Sequence, residues 1–159
     1  MVGVRSSGRR WSRSEENKAL FRRTYEELLN QGNLEVAEEL ISADFVNHEA
    51  PPGMDRGPEL MRGLATMLRS AFPDLQFTIE ELVAERDMVA GRLTMSGTHE
   101  GPLMGAPATG RSVRQEHMHF VCFRDGKAVE HWGGRDDLGM MRQLGVMPET
   151  GQPGGPDPT

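Results

Sequence analysis

The chain has 159 residues, 36% of them apolar and 26% charged, and a net charge of −6. That length suits one domain, and an acidic chain lacks the basic stripe a general nucleic-acid binder needs. Cys122 is the only cysteine, which excludes an internal disulfide or a cysteine-built metal site.

The basic residues Arg5, Arg9, Arg10 and Arg13 lie in a polar N-terminal arm, and residues 1–11 are expected to be flexible. This start lacks the apolar run of a signal peptide, and no stretch is long and apolar enough to cross a bilayer. A cytoplasmic protein with no nucleic-acid or membrane partner is expected. Ser12 followed by Glu15 fits a capping box, and Phe21, Tyr25, Leu28 and Leu29 then repeat at helical spacing up to Gly32. LEVAEELI predicts a short second helix with Leu34, Ala37, Leu40 and Ile41 on one face. The proline pair in FVNHEAPPG forces an extended or turning path, and Asn47 and His48 in it are placed within reach of a cavity. Asn47 suits equally a turn residue bonding its own backbone. Leu60, Met61, Leu64, Met67 and Leu68 predict a third helix from Pro58 to about Ala71.

After Pro73 the period changes to two. Leu75, Phe77 and Ile79 predict one strand, and Met88 to Thr98 a second. THEGPLMGAPATG is a loop punctuated by glycine and proline. Val113 to Phe123 and Lys127 to about Arg135 predict a hairpin, DDLGMMRQLG a closing helix, and 148–159 a flexible tail. The domain therefore spans 12–147, and helices followed by an antiparallel meander give an α+β class, a curved sheet covered by helices.

The hairpin carries the chemistry. Arg124-Asp125-Gly126 fits a three-residue loop, which sets His119 opposite His131 and His117 opposite Gly133. A two-residue Asp-Gly turn would instead put Trp132 opposite His119. In the first register His117, His119, His131 and Gly133 share a face with Gln115 and Arg135, while Met118, Phe120 and Cys122 form a core-facing side. Imidazole suits proton movement near neutral pH. Three alternating histidines on one hairpin do not by themselves make a metal site, so no metal is expected. Gly133 would empty a pocket wall so that a flat ligand approaches the backbone, or else mark a bulge or strand end. Asp136 and Asp137 are candidates to cap the last helix, with a chemical role open to Asp136. Met54, Met61, Met67, Met88, Met95, Met104 and Met118 suggest a pliable lining for a polycyclic ligand, or ordinary gap filling.

GTHEGPLMGAPATGR, FRDGKAVEHW and DDLGMMRQLG together resemble the SnoaL-like polyketide cyclases of the NTF2-like superfamily, in order from Asn17 to Met147. The resemblance implies a cone-shaped α+β barrel with a deep pocket, a dimer or tetramer, and an aromatic polyketide substrate such as an anthracycline precursor. His119 falls where the family has its pocket histidine, and Asn47 matches its pocket asparagine. The family's cyclases read EHWD, with the aspartate as general acid/base, where residues 130–133 here read EHWG. A subgroup, the SnoaL2/AclR type, resembles the cyclases while acting in anthracycline hydroxylation, and this chain is similar to it in length and in lacking that carboxylate.

The resemblance thus implies hydroxylation of a polycyclic phenolic intermediate. His119, His131, Asp136 and Arg135 are the candidate catalytic residues, and Asn47, His48, His117, Trp132, Gly133 and Met104 the substrate-binding ones. No flavin or nucleotide motif is present, so a reduced flavin, or an oxidant, would diffuse in or come from a partner reductase, with no tightly bound cofactor. Ring closure with a relocated base (Asp136, His131 or His119) and non-catalytic binding of a polycyclic ligand are the alternatives.

Overall fold

The protein is described from a computed structural model covering residues 11–50, 52–54 and 56–147. The arm and the tail expected to be flexible lie outside the described residues, except Trp11, which is exposed.

Helix α1 (Arg13–Arg23) starts at Ser12, whose side chain accepts from the Glu15 amide, and runs on as a π-helical stretch, Thr24–Asn30. The chain turns at Gly32 with φ of +70°, as the glycine there requires. A 3-10 turn (Leu34–Val36) leads into a one-turn α2 (Ala37–Leu40). Strand β1 (Ile41–Asn47) then begins where the second helix was expected to continue. Helix α3 (Gly57–Ala71) follows, and then strands β2 (Gln76–Glu85), β3 (Met88–Thr98), β4 (Ser112–Arg124) and β5 (Lys127–Arg135), and helix α4 (Asp137–Leu144).

The strands form one sheet in the order β1-β5-β4-β3-β2. β2 to β5 are the expected antiparallel meander, and β1 adds a parallel edge beside β5, with Asn47 level with His131. The helices pack on one face. Phe21, Tyr25 and Leu28 from the first helix and Phe72 after α3 are buried together with Phe77, Val89, Leu93, Met95, Val113 and Val121 of the strands. Gly91 lets α1 press in, because a Cβ there would stand 2.6 Å from the Phe21 ring. Asn30 ends the first helix against the outer rim of β2. Its amide donates to the Phe77 carbonyl at 2.9 Å and accepts from the Phe77 amide at 2.7 Å.

The β4–β5 hairpin departs from both expected registers. Asp125 and Gly126 have φ of 51° and 75°, the signature of a two-residue type I′ turn, and Arg124 pairs with Lys127. Phe123 then pairs with Ala128 but Cys122 with Glu130, so Val129 is an extra residue, a β-bulge. The turn slips the pairing by one residue and the bulge slips it by another. Two such slips restore the original face, because side chains alternate with period two. His117, His119, His131 and Gly133 therefore do share a face, yet His119 lies opposite Gly133, His117 opposite Arg135, and Trp132 opposite Phe120.

The other face of β4 is not core. Met118 and Phe120 are 53% and 51% exposed, and Cys122 is only partly buried. The helices cover the histidine face instead, and the apolar side chains look outward. The methionines divide likewise: Met61 and Met95 are buried, whereas Met54, Met67, Met104 and Met118 are exposed. They do not form a common lining.

Candidate active site

The three histidines are linked in line. His117 Nδ1 lies 3.2 Å from His119 Nε2, and His119 Nδ1 lies 2.8 Å from His131 Nε2. Each end of the row is held by an amide oxygen. His117 Nε2 is 2.8 Å from Gln115 Oε1, and His131 Nδ1 is 2.8 Å from Asn47 Oδ1. Both amides have fixed orientation. Asn47 Oδ1 also accepts from the Glu49 backbone amide at 3.1 Å, and Gln115 Nε2 donates to Asp137 Oδ1 at 3.1 Å. Asn47 thus fills both roles read from the sequence, bonding its own turn and reaching the histidines.

Arg135 ties the two ends. Its Nε donates to Asp137 Oδ1 at 2.9 Å and its Nη1 to Glu49 Oε2 at 3.0 Å. Glu49 matters most here. A Cβ added at Gly133 would stand 2.7 and 2.8 Å from the two Glu49 carboxylate oxygens and 2.7 Å from His119 Nδ1. The carboxylate occupies the space that a side chain at 133 would take. Gly133 is therefore neither a frayed end nor an empty wall; it makes room for an acid from a distant part of the sequence.

Burial sets the electrostatics. Removed from water, the charged imidazolium is disfavoured, and His119 is pushed down to about 2, with His131, His117 and Arg135 adding to the effect. His117 is pushed down to about 4 by burial and then by Arg135, with Asp137 opposing. His131 is also lowered to about 4, by burial, Arg135 and His48. The Tyr25 ring, 5.6 Å from His119, is buried as well, and burial raises its hydroxyl well above the usual phenol range. Glu49 and Arg135 are the members of the site that reach solvent, their side chains 20% and 37% exposed.

Among the expected site residues, His117, His119, His131, Asn47, Arg135 and Gly133 come together. Four do not. Asp136 is engaged elsewhere: its carboxylate caps α4, accepting from the Gly139 amide at 2.8 Å, and its neighbour Asp137 joins the row instead. Trp132 and His48 lie on the outer side of the sheet, stacked on each other with centroids 4.7 Å apart, and His48 Nε2 meets Glu130 Oε1 at 2.7 Å. Trp132 is carried there by the Val129 bulge, and His48 opens the turn that follows β1. Met104 is exposed, on a turn closed by Leu103 and Ala106. Sequence reasoning missed Glu49, and the unexplained Gly133 was the signal that something from elsewhere approaches that backbone.

Two clefts lie away from the row. One of about 300 Å3 is lined by residues such as Gln31, Ala65, Thr66 and Arg69. The other, of about 420 Å3, is lined by Glu80, Arg92, Thr94, Arg114 and Glu116.

Comparison with known proteins agrees with this architecture. The family profile described as "SnoaL-like polyketide cyclase" matches residues 19–144. Aklanonic acid methyl ester cyclase DnrD of Streptomyces peucetius is 36% identical over 124 residues, covering 75% of this chain and 84% of the relative. The nogalonic acid methyl ester cyclase of Streptomyces nogalater is 31% identical over 118 residues, 73% of this chain and 88% of its own. AclR from Streptomyces galilaeus superposes with a TM-score of 0.71 at 32% identity, covering 85% of this chain and 99% of AclR.

Proposed function

The chain belongs to the SnoaL-like polyketide cyclase family, and from that premise we propose that it closes a ring in an aromatic polyketide by intramolecular aldol addition. The fold is NTF2-like α+β, and the family tailors anthracycline-type polyketides. The methyl ester of a polyketide acid is the substrate class that the names of the cyclase relatives suggest. The observation that carries this reading is the Glu49 carboxylate in the space left by Gly133, beside His119 Nδ1. Sequence alone favoured hydroxylation because the carboxylate at 133 is missing; Glu49 supplies one at nearly the same place.

In the proposed step Glu49 takes a proton from a carbon flanked by carbonyl groups. The electron pair left on that carbon attacks a ketone carbon of the same molecule. A carbon–carbon bond forms, the carbonyl π bond opens, and the resulting alkoxide takes up the proton that Glu49 now carries. Arg135, bonded to Glu49, lies where it also stabilises negative charge developing on the enolate oxygen. His117, His131, Asn47 and Gln115 hold the His119 ring in place. Atoms balance without an oxidant or cofactor, and product and substrate have equal mass.

Hydroxylation is the second reading, supported by the likeness to AclR, and only there do a reduced flavin and a partner reductase enter. Incubation of a polyphenolic methyl ester with the protein under labelled oxygen separates the two by mass spectrometry. Ring closure predicts a product of unchanged mass and new retention time, lost in Glu49→Gln. A product heavier by one labelled oxygen would overturn the cyclase reading.

A further inference from the structure

The two amides at the ends of the histidine row dictate where the ring protons sit. Asn47 Oδ1 is held as an acceptor by the Glu49 amide, so His131 must donate to it through Nδ1–H. Gln115 Oε1 is likewise fixed by the Asp137 bond, so His117 must donate through Nε2–H. A neutral imidazole carries one N–H. His117 Nδ1 and His131 Nε2 are then both lone pairs facing His119, whose single N–H can serve only one of them. With that proton on Nε2, His119 donates to His117 and turns the Nδ1 lone pair to that of His131 across 2.8 Å. This arrangement repels unless a cation lies between them.

We propose that the His119–His131 gap, with Glu49, is a binding site for one divalent transition-metal ion. Glu49, His119 and His131 each bring one ligand-type atom to within 4.8 Å of the others. The ligands are His119 Nδ1, His131 Nε2 and Glu49 Oε1, while Arg135 keeps Oε2. Two imidazoles and a carboxylate suit zinc, cobalt or iron(II), and leave positions open for solvent or an oxygen of the substrate. The outer partners are the kind that orient metal-bound histidines: Asn47 accepts from the distal nitrogen of His131, and His117 accepts from that of His119. Gly133 leaves the space beside the ligands free, since a Cβ there would touch Glu49 and His119.

The site does not depend on the ring-closing reading, though it bears on it. An ion bound there takes Glu49 out of proton transfer, so metal loading and cyclisation compete. The test uses the full chain, stripped with chelator and titrated with Co2+ without substrate. Visible absorption reads coordination, and nitrogen-15 NMR of the histidines reads the tautomers. The expected result is one ion per chain with bands of a four- or five-coordinate cobalt centre. Glu49→Gln is expected to weaken binding by at least about tenfold, and Asn47→Ala, which only unpins His131, by about 10- to 100-fold. Loaded with Zn2+, the protein should show His131 protonated at Nδ1 and His119 at Nε2. Absence of a cobalt band up to millimolar Co2+ overturns the site, as does binding undiminished in both variants. A proton shared between His119 and His131 at neutral pH, with no ion taken up, overturns it as well. Ring closure is assayed separately in chelator, so loss of either finding leaves the other standing.

Discussion

At the scale of single residues, Glu49 and Gly133 form a pair whose meaning neither letter carries alone. A carboxylate is brought to His119 by a side chain that starts 84 residues before the glycine making room for it. The histidines were legible because alternate residues of a strand share a face, and Asn47 because it matches the pocket asparagine of the family that the chain resembles. Glu49 was not legible, since its arrival depends on the Asn47 turn and on a vacancy across the sheet. A swap follows from this. Glu49→Ala should lower kcat by about 10²- to 10⁴-fold, the usual worth of a general base, with substrate binding retained. Glu49→Ala combined with Gly133→Asp should recover much of that loss in steady-state turnover, because the emptied space then admits a carboxylate from residue 133. No recovery in a folded double variant would mean that position, rather than charge, decides. Glu49→Gln separates the same roles from the other side. It keeps the shape and the Arg135 contact, so its turnover should stay as low as that of Glu49→Ala.

At the scale of elements, the hairpin shows why a correct face followed from a wrong register. The three-residue loop expected from Arg124-Asp125-Gly126 and the observed type I′ turn with a bulge at Val129 differ by two residues, an even number. Local turn chemistry did not reveal the bulge. Strand β1 was missed for a related reason: Ser42, Ala43 and Asp44 are poor strand formers, and the segment extends because it gains β5 as a parallel partner. Two predictions belong to this scale. Asp136→Ala removes the α4 cap, costing about 1 kcal/mol or about 2–4 °C in Tm, and should leave kcat close to that of the parent. Asp137→Asn, by contrast, loosens both Gln115 and Arg135 and should lower kcat. Asp74 staples β2 to β3, accepting from the Thr98 amide at 2.7 Å and its hydroxyl at 2.8 Å. Those bonds hold its carboxyl below the usual range. Because its folded value is depressed, its stabilisation is present above the ordinary carboxylate value and is lost as pH falls through the depressed one. Thermal melts from pH 6 to pH 2 should show Asp74→Asn converging with the parent at the acid end.

At the scale of the whole molecule, the sheet turns its polar row to the helices and its apolar residues to water. Met118, Phe120 and Trp132 make an outward group on adjacent strands, an exposed apolar patch of the kind that marks an interaction surface. The outward group is expected to be covered by a second copy of the chain. Sedimentation should show an oligomer that Phe120→Glu converts to monomer with its far-UV circular dichroism unchanged; a parent already monomeric at assay concentration would count against this. None of the described helices is long and apolar enough to cross a membrane. The sheet has two open rims, and the one along β2 bears on what happens when chains crowd. An unpaired strand is a template on which further strands add, the route into fibrils. Asn30 closes the start of that template, its amide meeting both polar groups of Phe77 as a neighbouring strand would. Beyond it β2 carries Glu80, Glu81 and Glu85 and a break in register between Ile79 and Glu81, charge and irregularity that blunt an edge. One side chain and three acids thus keep the sheet from growing, and Asn30→Ala should be read first in the lag time of aggregation.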